Sequence, residues 1–230
     1  MFPQLWVYAS RGCVFQCDFC LWPHTMFERQ CSLRAPEKVI AEIEDAVGRF
    51  GFKHIYFDDD TWNIGGEDRL RQLSDGLKRI GLPWSINARL DLSSKEMFRY
   101  FVESGCVGLR VGVESLSQRL LDTMHKGLTV DAIIDTIKFL ETLDADIYLL
   151  FMHYLSGEQE SDRIEQNRMI KKFGLRCQNP PCIPFPGTPY FKKLKEAGFG
   201  DSKPEEYDGG NIGVKVFIRI RACSSRTHIS

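Results

Sequence analysis

The stretch Arg11-Gly12-Cys13-Val14-Phe15-Gln16-Cys17-Asp18-Phe19-Cys20 carries three cysteines at C-x3-C-x2-C spacing. Three thiolates this close can hold three corners of a four-iron cluster and leave the fourth iron open. An open metal position is where chemistry can occur. Structural zinc sites close all four positions, and electron-transfer clusters use four cysteines. No fourth cysteine follows at ligand spacing with a proline behind it, and Cys31 is the nearest. The competing reading is a zinc knuckle with Cys31 or His24 as fourth ligand. What precedes the loop favours the cluster: Leu5 to Ala9 reads as a strand running straight into the first cysteine.

The chain around this loop has 230 residues, enough for one sizeable domain or two small ones. Its formal net charge of −1 gives no global field toward nucleic acid or an anionic membrane. No run of about 18 apolar residues is present, so no transmembrane helix is expected. The start, Met1 to Ser10, lacks the basic residues and long apolar run of a signal peptide. Eight cysteines without such a signal, three of them at metal spacing, point to a reducing cytoplasm rather than to disulfides.

Downstream, apolar runs alternate with helix-period segments. Pro36 to Phe50 reads as a helix with Val39, Ile40, Ile43, Val47 and Phe50 on one face, closed by Gly51. His54 to Phe57 is a second strand, ending in Asp58-Asp59-Asp60. A helix through Leu70, Leu73, Leu77 and Ile80 stops at Gly81, and Trp84 to Ala88 is a third strand. Ser93-x-x-Glu96 reads as a capping box for the next helix. Gly108 to Val113 is a fourth strand, followed by helices near Ser117 to Met124 and Val130 to Leu143. Asp146 to Phe151 is a fifth strand, a helix ends near Phe173, and Leu175 to Gln178 is a sixth strand.

Six strand–helix units in series imply parallel strands with right-handed crossovers. Eight units would close a full barrel, so the expectation is an α/β partial (β/α)6 TIM-like barrel. An open doubly wound sheet is the other architecture this order allows. Residues 1–200 are read as one core domain and 201–230 as a tail. In the tail, Val214, Val216, Ile218 and Ile220 alternate with Lys215, Phe217, Arg219 and Arg221, a strand period. That predicts an extra C-terminal edge strand, or a segment that never packs. Sites in parallel α/β folds form at the C-terminal ends of strands. The cysteines, Asp58 to Asp60, Arg89 with Asp91, Glu114 with Ser115, and Gly157-Glu158 all fall there.

With these pieces in place, the chain resembles the radical S-adenosylmethionine (SAM) superfamily, and most closely the subgroup whose members carry a cobalamin-binding domain. The resemblance rests on the cysteine loop with Phe19 before Cys20, then Cys20-Leu21-Trp22-Pro23 and Arg34-Ala35-Pro36-Glu37. It continues through Phe57-Asp58-Asp59-Asp60-Thr61, Gly112-Val113-Glu114-Ser115, Lys126-Gly127, Gly157-Glu158 and Pro184-Phe185-Pro186-Gly187-Thr188-Pro189. It covers roughly the first 200 residues.

The resemblance implies a [4Fe–4S] cluster on Cys13, Cys17 and Cys20, with SAM on the open iron. One electron would cleave SAM to methionine and a 5′-deoxyadenosyl radical that abstracts hydrogen from an organic substrate. It further implies that Phe19 packs near adenine. Asp58, Asp59 and Asp60 sit where the family contacts the SAM amino group. Glu114 and Ser115 match the ribose contact, and Arg89 or Lys126 would pair with the SAM carboxylate. Gly65-Gly66-Glu67 has the letters of the family's amino-group motif but lies too far past its strand, and reads as a helix entry. A reduced flavodoxin or ferredoxin-type protein would supply the electron, and a small molecule would be the substrate. Relatives read Gly-Leu-Pro-Gly-Glu where this chain has Tyr154-Leu155-Ser156-Gly157-Glu158. The first strand begins within a few residues of Met1, so cobalamin is expected only through a missing domain or a separate subunit.

Two rival readings stand beside this one: a cluster-binding remnant that cannot turn over, and a zinc-stabilised interaction domain. At single positions there are plain structural readings as well. Arg89 can form a salt bridge with Asp91, His24 and His153 can be hydrogen-bonded framework residues, and Cys31, Cys106, Cys177 and Cys182 can be free thiols. Trp22, Phe27 and Trp62 either line a pocket or cover the core.

Overall fold

The structure is a computed structural model and describes residues 3–196. Six strands form one parallel sheet in the order β1 (Gln4–Val7), β4 (His54–Phe57), β5 (Trp84–Ala88), β6 (Cys106–Glu114), β7 (Asp146–Phe151) and β8 (Cys177–Gln178). Each strand of this sheet pairs with the next strand of the sheet along the chain, as successive right-handed βα units require. The sheet is the expected six-unit parallel array, with β1 and β8 as its edges. The sixth strand is shorter than Leu175 to Gln178. The alternating tail predicted as an edge strand lies outside the described residues.

Helices α1 (Pro36–Phe50), α2 (Glu67–Ile80), α3 (Lys95–Glu103), α4 (Gln118–Thr123), α5 (Val130–Leu140), α6 (Glu160–Phe173) and α7 (Pro189–Glu196) connect or follow the strands. α1 starts with Pro36 in its first turn and stops at Gly51, whose φ of 67° closes the helix by an N–H bond to Val47 O. Phe50, read onto the same face as Val39, Ile40, Ile43 and Val47, is exposed at the end of that helix. Gly66 caps α2, so Gly65-Gly66-Glu67 is a helix entry as its position predicted.

The α3 cap falls one residue later than the Ser93-x-x-Glu96 pattern predicts. Ser94 Oγ accepts from Met97 N at 3.2 Å. The acid comes from another helix: Glu67 Oε1 accepts from Ser94 N at 3.2 Å and Oγ at 2.6 Å. Ser93 Oγ instead accepts from Asn63 Nδ2 at 3.0 Å. A tertiary acid replaced the local one, which sequence periodicity cannot register.

Strand alternation separates the two faces of the sheet. In β5, Trp84, Ile86 and Ala88 are buried beneath helices, while Ser85 and Asn87 point to the other face. The core centres on Phe57, Trp62, Trp84, Phe98 and Phe101, with Trp62 5.2 Å from both Trp84 and Phe101 by ring centroids. Trp62 is therefore a core residue and not a pocket wall.

A small hairpin interrupts the first βα unit. β2 (Ser10–Gly12) pairs antiparallel with β3 (Cys31–Leu33), placing Gly12 opposite Cys31. The cysteine loop and a π-helical turn, Trp22–Met26, are strung between these strands. Sequence reading missed the hairpin because three-residue strands carry too little periodicity. Among the described residues no helix is long and apolar enough to cross a membrane.

The α1–α2 crossing depends on a missing side chain. A Cβ on Gly76 would lie 2.4 Å from Ile40 Cγ1 and 2.6 Å from its Cδ1. Gly76→Val is predicted to lower stability by about 1–3 kcal/mol through overpacking, despite removing a helical glycine. A urea midpoint at or above that of the parent would contradict this packing.

Candidate active site

The C-terminal ends of β1, β4, β5 and β6 converge on a cavity of about 600 Å³. Cys13, Cys17 and Cys20 line it together with Phe19, Asp58, Asp59, Asp60, Arg89, Glu114 and Lys126. Ser115 does not belong to that wall. It is buried, and its Oγ accepts from Ser117 N at 3.1 Å, so it shapes the turn after β6. Trp22 and Phe27 line the cavity.

The acidic run after β4 works first on the segment Tyr8 to Gly12, Asp58 through a side chain and Asp59 and Asp60 through the backbone. Asp58 Oδ2 accepts from Tyr8 Oη at 2.7 Å, and Asp60 Oδ2 from Gly12 N at 2.9 Å. Between them Asp59 accepts from Ala9 N at 3.1 Å and from both the N–H and the hydroxyl of Ser10. The three carboxylates thus hold the segment that delivers Cys13 to the cavity. Burial pushes the Asp59 carboxyl up to about 6, against its hydrogen bonds and the nearby Arg69, which hold it down.

Arg89 is buried and fully engaged. Its Nε and Nη2 make a two-pronged pair with Asp91, each at 2.9 Å, and Nη2 also donates to Lys126 O at 2.8 Å. Nη1 lies 3.9 Å from Cys17 Sγ, and the guanidinium stacks 3.6 Å from the Phe15 ring centre. Asn63 grips the Arg89 backbone on both sides, donating to its carbonyl at 2.8 Å and accepting from its N–H at 3.0 Å. The salt bridge with Asp91 and a place on the cavity wall coexist at Arg89.

Glu114 ends β6 with a φ of 69°, a conformation that costs a non-glycine residue strain, where the β6–β7 register slips between Gly112 and Glu114. That turn brings its Oε1 to 2.9 Å from Lys126 Nζ, in a pair almost closed to solvent. A Cβ at Gly112 would lie 2.6 Å from Glu114 Oε1, so glycine there makes room for the pair.

Burial raises the Cys17 thiol, although Lys126 and Arg89 pull it down. Burial pushes Cys20 up to about 12. Buried thiols of this kind ionise only beside strong positive charge, which a metal cluster supplies. The donor set therefore suits a thiolate-held cluster. His24 Nε2 is bonded to Cys17 O at 3.0 Å, and Cys31 sits on the hairpin in a separate surface hollow.

Asp18, inside the cysteine loop, is a residue that sequence reading passed over. It is 2% exposed. Its N–H donates to Met124 O at 3.0 Å, its carbonyl accepts from Tyr190 N at 3.0 Å, and its carboxylate meets Lys193 Nζ at 2.9 Å. Helix α7 thereby clamps the loop from 175 residues away. The only local signal was an acid placed between Cys17 and Phe19.

The family profile described as the Radical SAM superfamily matches residues 7–169. This chain belongs to the radical SAM superfamily, an enzyme family that uses a [4Fe–4S] cluster and SAM. An uncharacterized methyltransferase of Pyrococcus horikoshii is 28% identical over 185 residues, covering 79% of this chain and 40% of its own. The anaerobic magnesium-protoporphyrin IX monomethyl ester cyclase of Cereibacter sphaeroides is 29% identical over 194 residues, covering 81% and 31%. The chain thus spans less than half the length of these curated relatives. Among solved structures, the radical SAM methyltransferase TsrM of Kitasatospora setae, with cobalamin and a [4Fe–4S] cluster bound, superposes with a TM-score of 0.75. It shares 15% identity and covers 88% of this chain and 39% of its own, so that likeness speaks for the TIM-like fold alone.

Two predictions follow from the loop's supports. Asp59 binds its proton more tightly folded than unfolded, so its contribution to stability is full below about pH 4 and is lost as pH rises through about 6. Relative to Asp59→Asn, the parent chain should gain about 2–3 kcal/mol between pH 8 and pH 4, read from urea midpoints; a flat difference would refute the shift. Lys193→Met strands the Asp18 carboxylate and should cost about 1–3 kcal/mol, while an unchanged melting temperature would show that the clamp carries no weight.

Proposed function

We propose that this chain is the radical-generating core of a SAM-cleaving enzyme, with Cys13, Cys17 and Cys20 as the cluster ligands. The observation that carries the reading is the shared cavity: three thiols, the Glu114–Lys126 pair and Arg89 line one wall system. Bound there, the cluster and SAM would supply a reducing electron and a hydrogen-abstracting adenosyl group.

The chain's own residues have separable tasks in this scheme. Arg89 and Lys126 place positive charge beside Cys17, which favours thiolate over thiol. Asp58, Asp59 and Asp60 fix the approach to Cys13, and any contact they make to a SAM amino group is made while those hydrogen bonds persist. Glu114 presents a carboxylate to the cavity, where it can accept from vicinal hydroxyls of a ribose, with Lys126 holding its rotamer. Phe19 offers a flat apolar surface beside Cys20 for a base.

The relatives are named for methyl transfer and for ring closure, and the reaction of the whole enzyme is read as one of this kind on a small organic molecule. Cobalamin would be held by residues outside this core or by a separate subunit. A flavodoxin or ferredoxin-type protein would deliver the electron.

Anaerobic purification should yield about four irons and four sulfides per chain, and Cys17→Ala should lose them. Dithionite and SAM should then release 5′-deoxyadenosine. A fully loaded chain that releases none would be the inert remnant, and iron retained by Cys17→Ala would overturn the ligand set.

A further inference from the structure

Arg110 is a cation that the reading above leaves unused. It lies in the middle of β6, exposed, on the face that lines the cavity. Along that face β6 presents Gly108, Arg110, Gly112 and Glu114, so neither neighbour on the strand carries a side chain beside it. Four residues of strand set it roughly 13 Å from Glu114 along β6, away from the cysteine end.

The two buried cations of the cavity are engaged in ion pairs. Arg89 is paired with Asp91 and Lys126 with Glu114. Arg11, on the hairpin, lies over the Tyr8 ring. Arg110 has no carboxylate at ion-pair distance among the described residues. Its Nη1 donates to Tyr56 Oη at 3.2 Å, and Tyr56 Oη donates to Asn87 Oδ1 at 3.1 Å. On the other side, the Tyr148 ring centre is 5.9 Å away. The guanidinium is oriented by neutral neighbours, Tyr56 on β4 two strands away and Tyr148 on the adjacent β7, and is not neutralised by either. Its remaining donors form a planar fork, the shape that matches a carboxylate.

We propose that Arg110 is a substrate-binding residue: it takes the carboxylate of an organic acid whose apolar body lies along Gly112 and Leu150 toward the cysteine loop. Gly112 and Leu150 are register partners on β6 and β7, and both line the cavity. On the sheet floor Arg110 is one unpaired cation among neutral side chains and balances a monoanion, while Arg11, which also lacks an ion pair among the described residues, lies on the hairpin. A phosphate dianion would call for a second cation on the sheet floor, and Arg89 and Lys126 already have acid partners. The proposal rests on the reading of the upper wall as the cluster and SAM end.

The test is equilibrium dialysis of naphthoate, naphthyl phosphate and naphthalenemethanol against the iron-loaded chain, its Arg110→Met and Arg110→Lys variants, and the parent chain without iron. Naphthoate should bind about tenfold or more tightly than the alcohol. Arg110→Met should remove that preference, Arg110→Lys should keep part of it, and iron content should not change in either. Equal binding of acid and alcohol, tighter binding of the phosphate, or an unaltered preference in Arg110→Met would overturn the proposal. The comparison does not need the cluster, so a failure of iron loading would strike the proposed function and leave the Arg110 result readable.

Discussion

The hydrogen bonds from residues 8–12 to three consecutive carboxylates are the constraint on which the site depends. Cys13 follows a strand that has already left the sheet, and a free loop would scatter three thiols over many positions. Asp58, Asp59 and Asp60 prevent this by accepting from Tyr8, Ala9, Ser10 and Gly12. The cost is a buried acid: Asp59 is 1% exposed, and burial lifts its carboxyl to about 6. That cost falls on stability, and the return is a fixed path into the cysteine loop. At the far side of the loop Asp18 performs the complementary task, joining Met124, Tyr190 and Lys193.

Charge is arranged in pairs around the thiols. Arg89 with Asp91 and Lys126 with Glu114 bring positive charge to Cys17 without leaving a lone buried cation. Arg89 Nη2 also bonds the Lys126 carbonyl, so the two pairs form one network and respond together to a change in either. Such networks hold rotamers in place. Arg110 stands outside the network, which is why it carries the separate inference.

Much of the fold was legible in the chain because its signals are local. Pro36 to Phe50, His54 to Phe57, Trp84 to Ala88 and Asp146 to Phe151 are read to the residue from periodicity, proline and glycine stops. The α3 cap was misplaced by one position because its acid, Glu67, comes from another helix. The β2–β3 hairpin was invisible because its pairing is set by distance in space between two three-residue segments. The family resemblance implies a ribose contact at Ser115, and in the fold its hydroxyl accepts from Ser117 N and shapes the turn after β6.

The sequence by itself determined the cysteine spacing, the βα rhythm and hence the parallel sheet, since ligand spacing and apolar period are properties of adjacent residues. It also placed the acids and cations at strand ends, where a parallel sheet gathers them. Only the tertiary structure decided what each one faces. Asp58 turns to the Tyr8 hydroxyl and Asp59 and Asp60 to the backbone of the loop, Arg89 serves Asp91 and the Cys17 side at once, and Lys193 reaches Asp18 across 175 residues. Pairings of that kind depend on which strand ends meet in space, and no period along the chain encodes them.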